Sequence, residues 1–340
     1  MKQIARGYIE TSAMFSVPKK KLYYIPVSEV ERSPQVGDLI YGKIASIRQH
    51  RSLENKVGRI HYIHDNTRAI FVIGNRYAPD YYEAIVPSDL GSKIDLIARS
   101  GMVGCVTKKN EKVNDPTIVK IIGYVCDSSG TILNTRNFSK FKASSSRVKK
   151  NNKMILSIGT NMNSGKTTTA AMCCWALSKS GHDVTASKIT GTASLKDILL
   201  MQDSGASKIS DFTYFGYPST YKMGESELID LFNKFDSYNN DKYWVVEFAD
   251  GILQRETKLL LENEAIKSRV YKLIFNAHDT FSAIGGINIL KKDFGYEVDA
   301  LSGVISGSPL LIEELRQYSD VPVFNNMSPN AFKDILEIIL

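Results

Sequence analysis

The chain has 340 residues, 43% hydrophobic and 23% charged, a composition that suits two ordinary soluble globular domains and excludes a disordered chain. It contains no run of 18 apolar residues, and its opening MKQIARGYIETSAMF lacks the apolar stretch of a secretory signal, so no membrane partner and a cytoplasmic location are expected. The formal net charge of +7 is uneven, about +12 over residues 1–150 and about −5 over the remainder.

In chain order, residues 1–140 read as a β-rich barrel or sandwich. The runs DLIYGKIASI, GRIHYIH and AIFVIG, then DLIARS, GMVGCVT and TIVKIIGYVCD, are β-favouring and separated by Gly, Asn and Asp. Between them GNRYAPDYYEAIVP reads as a loop, because Gly74-Asn75 permits a tight turn and Pro79 interrupts pairing. It gathers Arg76, Tyr77, Asp80, Tyr81, Tyr82 and Glu83, a set that could touch a ligand or simply pack on the barrel. His61 and His64 are three apart in a strand-like run and so point to opposite faces, which argues against a metal site. Cys105, Cys126, Cys173 and Cys174 have no metal-binding or redox spacing and read as buried thiols.

Residues 141–152 read as a basic linker. The stretch KFKASSSRVKKNNK holds Lys140, Lys142, Arg147, Lys149, Lys150 and Lys153 with no apolar periodicity. This basic half allows nucleic acid as a partner, and surface solvation explains the same charge.

From residue 153 to 340 the pattern becomes α/β, a doubly wound and mostly parallel sheet. MILSI is a short apolar strand buried on both faces, ending at Gly159. The small-residue loop of Thr160, Asn161, Met162, Asn163, Ser164 and Gly165 comes next, and Lys166, Thr167 and Thr168 open a helix that stops at Gly181. Strand, loop and GKT at a helix start form the context of a phosphate-binding loop. Its backbone amides and the positive helix end would cradle phosphate, Lys166 would bridge the β- and γ-phosphates, and Thr167 would ligate Mg²⁺. ATP with magnesium is therefore the expected cofactor.

Further on, Lys188 ends the strand DVTASKI, where it could meet a transferring phosphoryl group or an anionic substrate. Glu247 ends the strand YWVVE, where a carboxylate can hold Mg²⁺ or orient a nucleophile. ESELIDLFNKFDSY reads as a helix, RVYKLIFNA as a strand, HDTFSAIGGINILKKDF as a helix, DALSGVIS as a strand, PLLIEELRQYS as a helix and PVFN as a strand, before a closing helix from Ser328. Asn276 and Asn325 end two of these strands and are candidates to read the nucleotide base, beside the 306–309 loop.

The loop has five residues between Gly159 and Gly165, in the form G-T-x-x-x-x-G-K-T, and so resembles that of dethiobiotin synthetase and its cobyrinic acid synthase type relatives. SKITGT resembles that enzyme's K-P-V-x-T-G at Lys188, Thr190 and Gly191. WVVEFADGIL resembles its V-V-E-G-A-G-G-L at Glu247, Ala249 and Gly251, with Phe248 and Asp250 in place of glycines. The resemblance spans about 100 residues in three short motifs and implies a magnesium-binding aspartate near SLKDILLMQDSGA, for which Asp197 is the candidate, with Asp203 and Asp211 beyond it. The whole chain also resembles a bacterial P-loop family that shares GNRYAPD, GTNMNSGKTTTA and EFADGILQRET. By analogy, the resemblance implies an ATP-dependent, ligase-like enzyme that phosphorylates a small carboxylate or carbamate, with catalytic Lys166, Lys188 and Glu247. The alternative is an ATPase switch whose N-terminal domain binds a protein or nucleic-acid partner. Relatives of this P-loop class include dimeric partitioning ATPases, which makes a homodimer an expectation, although Thr160-Asn161 stands where their extra lysine would fall.

Overall fold

The computed structural model describes residues 1–18, 21–141, 152–239 and 241–340. Lys142, Arg147, Lys149 and Lys150 of the expected linker lie outside the described residues. The chain divides into two compact units. One comprises Met1–Lys142, Gly191–Lys196 and Phe212–Lys222; the other comprises Ala143–Thr190, Asp197–Asp211 and Met223–Leu340.

The first unit holds strands β1 (Lys2–Gln3), β2 (Ile9–Glu10), β3 (Tyr23–Ile25), β4 (Leu39–Ser46), β5 (Ser52–Glu54), β6 (Ile60–Tyr62), β7 (Arg68–Ile73), β8 (Arg76–Tyr77), β9 (Tyr82–Ile85), β10 (Lys93–Leu96), β11 (Met102–Lys109) and β12 (Thr117–Cys126). Of the two readings, barrel and sandwich, it is a barrel. β12 pairs β4, β4 pairs β7, β7 pairs β11, β11 pairs β10, and β10 returns to β12. Closure satisfies both edges of all five strands. Alternate residues fill the interior, among them Ile40 and Ile44, Ala69 and Phe71, Ile94 and Leu96, Val103, and Val119 and Ile121. Glu54 is 1% exposed and accepts from Ser12 Oγ at 2.5 Å and from the Leu195 and Lys196 N–H groups at 3.0 and 3.2 Å. Those amides open helix α2 (Leu195–Asp203), so a carboxylate distant in sequence caps it. GNRYAPDYYEAIVP forms the β8–β9 hairpin, with Arg76 opposite Ala84 and Tyr77 opposite Glu83, in place of the expected loop. Its tyrosines favour extended backbone, and only residues 78–81 make the turn.

The second unit is built on β13 (Lys153–Gly159), β14 (Val184–Lys188), β15 (Lys208–Asp211), β16 (Tyr243–Glu247), β17 (Val270–Asn276) and β18 (Ala300–Ser302), in spatial order β15-β14-β16-β13-β17-β18 with every pair parallel. Helices α1 (Lys166–Lys179), α3 (Glu225–Tyr238), α4 (Arg255–Leu261), α5 (Glu264–Lys267), α6 (Thr280–Lys292), α7 (Pro309–Leu315) and α8 (Phe332–Ile339), with the body of α2, alternate with these strands. β14 and β16 are buried along their whole length, as strands covered on both faces must be. Cys173 and Cys174 are both fully buried in α1, which packs Ala170 and Leu177 into the same core, and Cys126 is buried too, whereas Cys105 is exposed on β11, against the expectation of a buried thiol. Two expected strands are shorter. DALSGVIS stops at Ser302, and a 3₁₀ turn at Val304–Gly307 comes after Gly303 at φ 91°. PVFN contributes a single bridge, Val323 to Leu301. Among the described residues no helix is long and apolar enough to cross a membrane.

Candidate functional site

β13 delivers Gly159 to the carboxyl edge of the parallel sheet, and residues 160–165 carry the chain to α1. Asn163 at φ 63° and Gly165 at φ 101° take left-handed backbone, which aims successive amides into one concavity. α1 begins with no side-chain cap and no acidic residue in its first turn, leaving its positive end to an anion. Thr160, Met162, Gly165, Thr167 and Thr168 are half-buried, Asn161 and Asn163 are exposed, and Ser164 is buried.

Close packing sets the loop's shape. A Cβ on Gly251 would lie 2.2 Å from the Thr160 carbonyl oxygen, and one on Gly303 would lie 2.2 Å from that of Ser164. Ile252 N–H donates to the Gly159 carbonyl at 3.0 Å, and Val304 N–H to that of Ser164 at 3.1 Å. The turn after Glu247 thus rests on one side of the loop and the turn after β18 on the other. Asp250 in the first of these turns has φ 61°, left-handed backbone at one of the positions where the resembling motif has glycine.

Lys166 is 5% exposed. Its ammonium donates to the Asn161 carbonyl at 2.5 Å and to Ser164 Oγ at 3.3 Å, so it spans the loop from beneath. Burial lowers its pKa to about 8 against the opposing pull of Glu247 and Asp250. Ser157 Oγ donates to the Lys166 carbonyl at 3.0 Å and ties the first turn of α1 to the strand.

The registers place Asp211 opposite Lys188, Lys188 opposite Glu247, and Glu247 opposite Ser157. Lys188 Nζ lies 2.5 Å from Asp197 Oδ2, in the first turn of α2, and 3.3 Å from Glu247 Oε1. Burial alone would lower the Lys188 pKa, but the two carboxylates outweigh it and hold the ammonium above its ordinary value. Glu247 Oε2 is buried and has no hydrogen-bond partner among the described residues. An unsatisfied carboxylate oxygen in a protein interior is costly, and a cation or ordered water relieves that cost. Glu247 Oε2 is thus the atom at this edge that suits a cation, whereas Asp197 Oδ2 is already held by Lys188. Among the described residues no cluster of three or more His, Cys, Asp or Glu could hold a metal by itself.

Asn276 corrects the sequence reading. It is fully buried, its Oδ1 accepts from Thr169 Oγ at 2.5 Å, and its Nδ2 donates to Ser157 Oγ at 3.0 Å and the Ile158 carbonyl at 2.7 Å. With its amide engaged beneath α1, it braces the loop and cannot read a base. Asn325 is half-buried and accepts from the Met327 N–H at 2.9 Å, which is turn chemistry. Its neighbour Asn326, unmarked by any sequence signal, donates to Thr169 Oγ at 2.8 Å and the Gly165 carbonyl at 3.3 Å. His278 Nδ1 lies 3.4 Å from Thr160 Oγ at the loop's entrance, another contact that no spacing announced.

No protein-family model matches the chain, and no curated protein matches it. Solved structures to which it is similar include a ParA family ATPase from Chlorobium tepidum TLS, at 14% identity over 55% of this chain and 89% of that one, with a TM-score of 0.36. Another is the signal recognition particle receptor FtsY from Elizabethkingia anophelis, at 15% identity over 57% and 67% of the two chains, TM-score 0.35. A third is the signal recognition particle 54 kDa protein from Aeropyrum pernix K1 in complex with GDP, at 17% identity over 56% and 50%, TM-score 0.34.

Proposed function

We propose that the second unit binds ATP with magnesium and transfers its γ-phosphoryl group to a small carboxylate or carbamate. The observation that carries the nucleotide part is the conjunction at one sheet edge of an uncapped helix start, the buried Lys166 ammonium and the unsatisfied Glu247 Oε2. The loop amides and Lys166 would hold the β- and γ-phosphates. Thr167 and Glu247, with Asp197 beside them, would hold magnesium, which neutralises charge on the phosphate oxygens. A carboxylate oxygen of the acceptor attacks the γ-phosphorus, the bond to the β,γ-bridging oxygen breaks, and ADP leaves with its electron pair. Lys188 supports the transfer reading because its cation ends the strand beside Glu247, where negative charge develops.

A second reading, an ATPase switch, is favoured by Lys188 already spending its charge on Asp197 and Glu247. ADP release separates the two. The transferase reading requires release that rises with one member of a panel of carboxylic acids and falls steeply in Lys188→Ala, with ATP binding retained. Release that ignores every acid sinks the acceptor; loss of neither binding nor release in Lys166→Ala sinks the nucleotide site itself.

A further inference from the structure

The barrel of the first unit has a charge arrangement unrelated to the phosphate-binding loop. Strand registers set Lys93 opposite Lys120, Lys120 opposite Lys43, and Lys43 opposite Arg68. Residues directly opposite in a sheet share a face, so four cations form one row across β10, β12, β4 and β7. The row lies outside, because the adjacent residues Ile94, Val119 and Ile44 with Ala69 belong to the barrel core. Lys93, Lys120 and Arg68 are exposed and Lys43 is half-buried. At ~4.8 Å between strands the row is about 14 Å long.

Like charges directly opposite one another destabilise a sheet, so this row costs stability wherever no anion meets it. Lys43 donates to Asn66 Oδ1 at 2.7 Å, a neutral partner. The acid on the same face, Asp95, two residues along from Lys93, accepts from the Val106 N–H at 3.0 Å. On one side of the row Lys93 and Arg48, with Asp89, Asp95, Ala45 and Ile118, line an open cleft of about 430 Å³. On the other side Tyr41, two residues from Lys43 on the same face, is only 4% exposed and is covered by the half-buried Tyr24 and Tyr8, ring centroids 5.6 and 6.2 Å away, which closes that end of the row. A line of cations at strand spacing is the chemistry that tracks a phosphodiester backbone. An anionic bilayer needs a broader basic surface with apolar side chains to insert, and the row is one residue wide.

We propose that this face of the barrel binds a nucleic-acid strand, with successive phosphates along Lys93, Lys120, Lys43 and Arg68. The binding stands apart from the nucleotide site and does not depend on it. The full chain is titrated by fluorescence anisotropy against a labelled DNA single strand, the RNA of the same sequence and the DNA duplex, between about 50 and 200 mM salt. Binding to at least one is expected, with log K falling against log salt at a slope of about −2.8 for a single strand or −3.6 for a duplex, four cations at ~0.7 or ~0.9 each. Lys43→Gln with Lys120→Gln lowers the slope by about 1.4 on the single strand, while Lys43→Arg with Lys120→Arg keeps it. The Gln pair also melts no earlier than the parent, since it removes repulsion, so weakened binding is not misfolding. The proposal is overturned if no nucleic acid binds, if the Gln pair binds with the parent's slope, or if the protein sediments with phosphatidylserine vesicles and ignores all three nucleic acids.

Discussion

The parallel sheet and the barrel concentrate chemistry in opposite ways. In the sheet, a strand, a loop and a helix start that are contiguous in sequence make most of the site, and Lys188 and Glu247 arrive at the same edge because parallel strands all end there. In the barrel, the charged row comes from four strands spread over residues 39–126, each of which supplies a single cation. Contiguous sites announce themselves as motifs. Distributed ones exist only once register is set.

Perturbation should reproduce this contrast, with single residues decisive in the sheet and effects graded in the barrel. The largest effect is expected from Lys166→Ala, which removes the one buried ammonium beneath the loop. It should weaken triphosphate binding by about 10²–10³-fold in calorimetry, the usual cost of deleting one partner of a buried charge pair. A Lys166→Ala protein with parental affinity would end the contrast.

Next comes Glu247→Gln, which keeps the side chain's shape and loses its charge. Nucleotide binding should persist and turnover should fall by about 10²-fold or more in an ADP-release assay. Unchanged turnover would make Glu247 a structural acid whose partner is Lys188 alone.

The barrel should respond to acid through His50. Burial first, and then Arg76, lower its pKa to about 4, whereas an unfolded histidine titrates near 6.5. Between those values the unfolded chain binds a proton that the folded barrel refuses. Stability from this group is therefore full above pH ~6.5, declines as pH falls toward ~4, and is lower by up to about 3 kcal/mol at the end of that window. Melting curves across this window should show the loss, and His50→Gln should remove that component. A flat profile in the parent would mean that His50 accepts its proton in place.

The smallest effect is a packing change. Gly251→Ala places a methyl against the Thr160 carbonyl and should cost about 1–3 kcal/mol, read as an earlier melt, with nucleotide affinity weakened because the loop must shift. Affinity unaltered at lower stability would show that the loop's shape does not depend on that buttress.

The α/β pattern from residue 153, the helix start at Lys166 and the placing of Lys188 and Glu247 at strand ends are all legible in the sequence. Each depends on local periodicity or on residues a few positions apart, and hydrophobic burial in a parallel sheet leaves those patterns little freedom. Asn276 is misread from sequence because a strand-end asparagine looks the same whether it faces a ligand or braces the backbone beneath one. Only its contacts with Ser157, Ile158 and Thr169 decide. Barrel closure through β10, the cap that Glu54 places on α2, the roles of Asn326 and His278, and the row of four cations all join residues far apart in the chain. Tertiary structure alone decides these, because strand register and loop contacts are set by the packing of the whole core, and a one-residue slip would carry every cation of a strand to its other face.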